Sequence, residues 1–227
     1  MKSYLIPNRN KYITWDIYNW SRAFSYIDSQ KSTTFLGKNV LEIGANNGEL
    51  SLWAAEKGAN VICSDINEPS IDAIKMADHY KLKNIRFSTL NVLNLSYKNT
   101  FDYVIFKSVL GGVGRENHYR NQLLMFSNIY DSLKPKGECL FIENMEGAIL
   151  HQFLREKYGA AKNNWKYPSL NDFYKFSKQF HKVKFKTFGV IGFGDFPLKL
   201  FRSKMDVGLE NIIPKKWNYI YAGVYQK

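Results

Sequence analysis

The sequence predicts an α/β fold: a mostly parallel sheet with helices on both faces, as one domain over residues 1–227. Three observations predict it. First, V-L-E-I-G-A-N-N-G-E-L-S-L-W-A-A-E-K-G-A-N-V-I-C-S-D, from Val40 to Asp65, reads as strand, Gly-bearing turn, helix and second strand. Second, short apolar runs keep alternating with amphipathic stretches as far as Ile142. Third, K-V-K-F-K after His181 switches to a period of two, which marks an antiparallel strand with one face open. With 45% hydrophobic and 16% aromatic residues, the chain can bury a sizeable core.

The elements follow in order. Residues 16–29 form an amphipathic helix, with Ile17, Trp20, Ala23, Phe24 and Ile27 on one stripe. Residues 39–43 are apolar enough for a buried strand, and a loop from Gly44 to Gly48 follows. Leu50, Leu52, Trp53, Ala54 and Ala55 suit a helix packed on a sheet, and residues 60–64 are the second strand, ending at Asp65. Pro69 opens a helix that runs to about Tyr80. Residues 84–88 are the third strand and 101–106 the fourth. Gly111, Gly112 and Gly114 then make a flexible loop. A helix over 118–133 is closed by Lys134-Pro135-Lys136-Gly137, which turns into a fifth strand at 138–142. Residues 148–158 are helical, Trp165, Tyr167 and Pro168 lie in a loop, and a helix covers 171–180. Residues 181–188 and 217–225 are the closing strands, separated by an insertion rich in Gly and aromatics. There is no repeat, low-complexity tract or clear linker.

A βαβ unit of this kind holds a nucleotide-like ligand over the carboxyl ends of its strands, with the strand-end acid on the ribose. A dinucleotide fingerprint needs G-x-G-x-x-G, but Asn46 and Glu49 stand where its second and third glycines belong. A G-x-x-x-x-G-K-[ST] phosphate loop is absent, and Glu49 at a helix start would repel a pyrophosphate. What remains is E-x-G-x-N-x-G, from Glu42 to Gly48. It resembles motif I of the class I S-adenosylmethionine (SAM) methyltransferases. Asn46 replaces the family's middle glycine and tolerates positive φ well. SAM has an amino group, a sulfonium and a ribose but no phosphate, so carboxylates and backbone groups suit it.

The resemblance implies a Rossmann-like seven-stranded sheet, order 3-2-1-4-5-7-6, with the last strand antiparallel. It implies SAM as cofactor and S-adenosylhomocysteine as product. The cofactor residues would be Glu42, Gly44, Ala45, Asn46 and Gly48 in the first loop, and Asp65 with Ile66 after the second strand. Asn91 and Val92 would meet the adenine, and Lys107 and Ser108 would stand beside the methyl group. The helix over 16–29 would lie over the cofactor, bringing Tyr18, Trp20 or Ser21 to it, with core packing the competing role of Trp20. The chain then divides into a helical cap (1–35), a SAM-binding core (36–145) and an acceptor-side region (146–227). Absent motifs narrow the chemistry: no N-P-P-Y or D-P-P-Y of amino-methyltransferases and no Pro-Cys nucleophile of cytosine-C5 enzymes. Lys107 stands at the fourth strand's tip, where a metal-dependent enzyme would keep an acid, so no metal is expected.

The net charge is +12 and is unevenly spread. Residues 151–227 carry 15 Lys and Arg against 5 Asp and Glu, or +10, and the rest carries only +2. A basic face attracts phosphates, acidic glycans, nucleic acid or an anionic membrane, or serves solubility alone. No apolar run approaches the roughly 18 residues of a membrane span, and M-K-S-Y-L-I-P-N-R-N-K-Y lacks a signal peptide's apolar core. Cys63 and Cys139 fall in predicted buried strands without C-x-x-C partners, so the setting expected is the reducing cytoplasm.

A hydroxyl acceptor needs a base as attack proceeds, and an amine needs only to lose its proton beforehand. Of the four histidines, His79 sits late in a helix away from the strand tips, and His181 begins a strand in a structural role. His151, with Glu143 or Glu146 nearby, is the first candidate base and His118 the second; a buried or capping role competes for both. W-D-I-Y-N-W-S-R-A, F-K-S-V-L-G-G-V-G-R, E-N-M-E-G-A-I-L-H and W-K-Y-P together resemble small methyltransferases of bacterial cell-surface polysaccharide biosynthesis. That implies a sugar hydroxyl as acceptor, on a phosphorylated or nucleotide-linked sugar that the basic region would suit. Two alternatives stay open: a nucleic-acid methyltransferase using the basic third, and a non-catalytic SAM-fold subunit. Acceptor specificity is expected around 159–169 and 189–214; oligomeric state is not legible.

Overall fold

The structure, a computed structural model, describes residues 11–30, 35–158, 164–192 and 197–227. The signal-peptide reading of the first residues, and the parts of the expected specificity region at 159–163 and 193–196, fall largely or wholly outside them.

One seven-stranded sheet runs in the order β3-β2-β1-β4-β5-β7-β6. Its strands are β1 (Asn39–Ile43), β2 (Asn60–Asp65), β3 (Ile85–Thr89), β4 (Phe101–Lys107), β5 (Leu133–Asn144), β6 (Lys182–Phe188) and β7 (Ile220–Gln226). β1 to β5 pair in parallel, and β7 lies antiparallel between β5 and β6. The expected order is therefore the observed one. The helices are α1 (Ile17–Gln30), α2 (Glu49–Glu56), α3 (Ile71–His79), α4 (Leu110–Val113), α5 (Tyr119–Ser132), α6 (Ile149–Tyr158), α7 (Leu170–Phe176) and α8 (Lys199–Leu209).

The pleat splits the core into two layers. On β5, Leu140 and Ile142 join Trp20, Phe24 and Trp53 on one face. Cys139 and Phe141 join Phe106, Phe126 and Phe173 on the other. Each large side chain buried this way contributes about 1.5–3 kcal/mol. Both cysteines are buried and unbridged. Trp20 is core, as its competing reading had it, and its ring lies tilted at 4.9 Å from that of Trp15.

Three departures from expectation have local causes. The Lys134–Gly137 turn is absorbed into β5 as an irregularity where Leu133 pairs with Phe101. Gly137 is needed there, because a Cβ would lie 2.9 Å from the Lys134 carbonyl and 3.1 Å from that of Phe101. The glycine loop after β4 is wound into α4, whose Leu110 is fully buried. The insertion before β7 contains α8, which follows its Gly- and aromatic-rich stretch and buries Ser203 and Asp206 while its apolar stripe faces outward. β6 keeps the expected alternation: Phe185 stacks 5.0 Å from Tyr221, while Lys182, Lys184 and Lys186 are exposed along the sheet's edge. Lysines on an edge strand oppose pairing with another chain.

Candidate functional site

A cleft of about 880 Å³ opens at the carboxyl ends of β1, β2 and β4. Its first wall is the turn leaving β1. Gly44 (φ +62°), Asn46 (φ +46°) and Gly48 (φ +73°) all take the left-handed conformation, which only Gly and, less readily, Asn adopt at low cost. The Gly48 amide donates to the Ala45 carbonyl at 2.7 Å, and the Ala45 amide to that of Ser64 at 2.9 Å, which ties the turn to β2. A Cβ on Gly44 would stand 2.6 Å from a Val109 methyl carbon. Asp65 is fixed from both sides: its carboxylate accepts the amides of Asn46 at 3.1 Å and Asn67 at 3.2 Å. Gly44, Ala45, Asn46, Asp65 and Ile66 all line the cleft.

Two residues of the motif do other work. Glu42 is buried beneath α2, where its carboxylate accepts the amide of Ser51 at 2.7 Å and the Ser51 hydroxyl. Burial pushes its pKa up to about 7. Gly48 caps the start of α2, where a Cβ would stand 3.2 Å from Ala73 and 3.4 Å from the Cys63 sulfur. Neither lines the cleft.

The second wall follows β3. Asn91 accepts the Leu93 amide at 2.9 Å and so caps the 3₁₀ turn Val92–Asn94. The Asn128 side chain donates to the carbonyls of Val92 at 2.9 Å and Leu93 at 3.0 Å, which locks that turn against α5. Asn91 and Val92 both face the cleft.

Lys107 and Glu49 form an ion pair, buried on both sides, in the cleft lining. Lys107 also donates to the Tyr12 carbonyl at 3.1 Å and lies 4.4 Å from the centre of the Trp15 ring. The other Glu49 oxygen, Oε1, is buried without a hydrogen-bond partner among the described residues. An orphaned carboxylate oxygen in the lining fits a cationic group such as the ammonium of SAM.

The opposite end is more polar. Arg115, Glu116, His118 and Asn121 line it beside Trp165. The indole rests on the glycines of α4: a Cβ on Gly111 would come within 2.7 Å of it, and one on Gly112 within 3.6 Å. Backbone bonds from Lys166 to Gly111 (3.1 Å) and from Glu116 to Asn164 (3.0 Å) pin the Trp165 loop in place. Gln122 spans the Leu110 and Lys166 carbonyls at 2.8 and 3.0 Å. Glu116 holds φ +56°, a strained conformation for a non-glycine residue.

Of the candidate bases, the structure brings His118 to the cleft and leaves His151 and Glu143 outside its lining. Glu143 is turned under α4, where its carboxylate accepts the amides of Val109 and, at 3.0 Å, Leu110. Burial pushes its pKa up to about 8. His151 is buried and stacked on Tyr219, ring centres 4.3 Å apart. Burial, reinforced by Arg155 and Arg202, drives its pKa down to about 2. An imidazole so hard to protonate is poorly suited to a base. Glu146 is half-buried and also lies outside the lining. Sequence reasoning missed Trp15, Arg115, Glu116 and Asn121, and the site role of Glu49; the only signal for Glu49 was its place directly after Gly48.

No curated protein matches the sequence significantly. Solved structures share the fold. Phosphoethanolamine N-methyltransferase 2 of Haemonchus contortus, crystallised with S-adenosyl-L-methionine, aligns at TM-score 0.66 and 15% identity over 92% of this chain and 53% of its own. The chain thus spans about half the length of that enzyme. A SAM-dependent methyltransferase from Archaeoglobus fulgidus aligns at TM-score 0.60 and 17% identity over 91% of this chain and 92% of its own. The 1,6-didemethyltoxoflavin-N1-methyltransferase of Burkholderia thailandensis, bound to 1,6-didemethyltoxoflavin and S-adenosylhomocysteine, aligns at 0.57 and 15% over 90% and 76%. A family model described as a methyltransferase domain matches residues 35–185, well over half of the 227 residues. The chain belongs to that methyltransferase-domain family.

Proposed function

We propose that the protein methylates a hydroxyl of a small anionic acceptor, a phosphorylated or nucleotide-linked sugar of the kind used to build surface polysaccharides. The observation that carries this reading is the set at the cleft's far end: Arg115, Glu116, His118, Asn121 and Trp165. A guanidinium suits a phosphate, Glu and Asn suit hydroxyls, and an indole offers a face to a sugar ring's C–H bonds. SAM, when bound, supplies a methyl carbon made electrophilic by its sulfonium. Asp65 would hold its ribose and Asn91 with Val92 its adenine. Gly44, Ala45, Asn46 and Glu49 would hold its amino-acid end. His118 would take the acceptor's proton, while Arg115 and Trp165 orient the hydroxyl for in-line attack. The reading is metal-independent, because Lys107, already paired with Glu49, occupies the strand tip where a metal-dependent enzyme would keep an acid. A cytoplasmic setting and the division into cap, core and acceptor side belong to the same proposal.

The test is transfer of labelled methyl from SAM into a panel of nucleotide sugars and sugar phosphates, with wild type and Arg115→Ala. The expected result is an O-methylated sugar, with a raised acceptor KM in the variant. A protein that binds SAM yet methylates only RNA, in a salt-sensitive way, would replace this reading with the nucleic-acid one. A protein that does not bind SAM would be a non-catalytic subunit.

A further inference from the structure

Helices α6 and α8 are built inside out. α6 buries His151 and Arg155 and leaves Ile149, Leu150 and Phe153 at 85%, 66% and 56% exposure. α8 buries Ser203 and Asp206 and leaves Phe201 and Met205 at 60% and 43%. Ile212, just past its end, is 83% exposed. Phe201 and Met205 are spaced by four residues, which places them on one helical face.

Hydrogen bonds hold the polar faces inward. The Asp206 carboxylate accepts the amides of Val190 (2.9 Å), Ile191 (2.8 Å) and Gly192 (3.1 Å), and the Asn19 side chain at 2.6 Å. The Ser203 hydroxyl donates to Asn19 at 3.1 Å. Glu210 pairs with Arg22 and accepts the Gly189 amide at 2.7 Å. On α6, Arg155 donates to the Met145 carbonyl and to Asn144 at 2.7 Å. Rotating either helix to bury its apolar face would leave these partners unsatisfied in the interior, a large penalty. The outward apolar faces are therefore enforced, and an exposed apolar surface of this kind marks an interaction site.

The two helices are linked through Tyr219 and Asn19, which lie between them. Tyr219 carries the His151 ring on its face and accepts from Asn19, which also binds Asp206 of α8. The Ala148 amide, at the start of α6, donates to the Trp217 carbonyl at 3.1 Å, and Trp217 is itself exposed. Lys157, Lys204, Lys215 and Lys216 are exposed on these same segments. They belong to the region of net charge +10. A second copy of the chain would oppose like charge to like charge there. Among the described residues no helix is long and apolar enough to cross a membrane, so a lipid partner would be met from its surface.

We propose that the α6–α8 face docks the protein on an anionic lipid bilayer. Its apolar side chains enter the headgroup boundary and its lysines meet lipid phosphates. This goes beyond the acceptor reading and does not depend on it.

The experiment is flotation of the full chain with vesicles of phosphatidylcholine, with and without phosphatidylglycerol, at low and high salt. It compares wild type, Phe201→Asp/Met205→Asp and Lys204→Gln/Lys215→Gln/Lys216→Gln. SAM titration and thermal melting report folding. The expected result is wild-type flotation only with the anionic vesicles, weakened by salt, and a partition coefficient about tenfold lower in each variant with SAM binding unchanged. If the aspartate variant loses SAM binding, the glutamine variant decides. Wild type that stays down with anionic vesicles, or variants that float as wild type does, overturn the proposal. So does a wild-type dimer by light scattering that disperses in the variants without any flotation, since the face then belongs to a second copy.

Discussion

Glu49, the first residue of α2, is salt-bridged to Lys107, the last residue of β4, and both are buried beside the cleft. The pair makes the lining locally neutral, while one Glu49 oxygen has no hydrogen-bond partner among the described residues. Glu49→Gln removes the charge that balances Lys107 and weakens the acceptor offered to a cationic ligand. A buried charge stripped of its partner costs about 3–5 kcal/mol. The expected outcome is a lower melting temperature and a weaker SAM dissociation constant by calorimetry. Lys107→Met strips the other partner, so a similar melting loss is expected; SAM affinity unaffected by either change would remove the pair from the site.

Gly44 is constrained twice, by φ +62° and by the 2.6 Å approach of Val109 to the place of its Cβ. Gly44→Ala therefore strains the backbone and presses on Val109, which itself lines the cleft. The strain costs on the order of 1–3 kcal/mol. Calorimetry with SAM and a thermal melt on the same sample should both register it. Gly37→Ala is the contrast: it too has positive φ, but among the described residues no atom lies within 4 Å of the place of its Cβ, so it should lower stability alone.

Trp165 sits on Gly111 and Gly112 at the polar end of the cleft. If it forms the acceptor platform, Trp165→Ala raises the acceptor KM about tenfold or more and leaves SAM binding as it was. Gly111→Val should do the same by displacing the indole rather than removing it. Steady-state kinetics with each substrate varied in turn separate the two ends of the cleft.

Much of this architecture was written in short-range pattern. The βαβ unit, its Gly-bearing turn and Asp65 lie within 26 consecutive residues, so chain order alone brings them together. The sheet order followed from the family resemblance. What stayed hidden depends on contacts distant in sequence. Trp165 reaches the cleft only because its loop is hydrogen-bonded to α4, and Lys107 meets Glu49 across 58 positions. Helix α8 escaped because it follows a stretch rich in Gly and aromatics that reads as an irregular insertion, although Phe201 and Met205 keep helical spacing on its outward face. Glu42 and Gly48 match the motif, but their side chain and Cα serve the turn and α2 rather than the cleft.

The two candidate bases separate by kinetics. His118 lines the cleft and His151 is packed on Tyr219. His118→Ala should lower kcat by about 10²–10⁴-fold, the usual contribution of a positioned base. His151→Phe should keep kcat within severalfold of wild type while shifting the melting temperature. The reverse pattern in stopped-time methylation assays would restore His151.

Glu143 and His151 also make stability depend on pH. Glu143 has its pKa raised to about 8 from an ordinary carboxylate value of 4.5. The folded state then holds more protons than the unfolded one between those values, so this group's contribution is full below about 4.5 and is lost as pH rises through 8. His151 works in the opposite sense. With a folded pKa of about 2 against 6.5, it binds fewer protons folded than unfolded, so its contribution is full above 6.5 and is lost as pH falls. Either group alone imposes a slope of at most about 1.4 kcal/mol per pH unit. Chemical denaturation from pH 5 to 9 should therefore show Glu143→Gln losing less stability toward pH 8 than wild type, and His151→Phe losing less toward pH 5. Parallel curves for all three proteins would mean that neither group changes its protonation on unfolding.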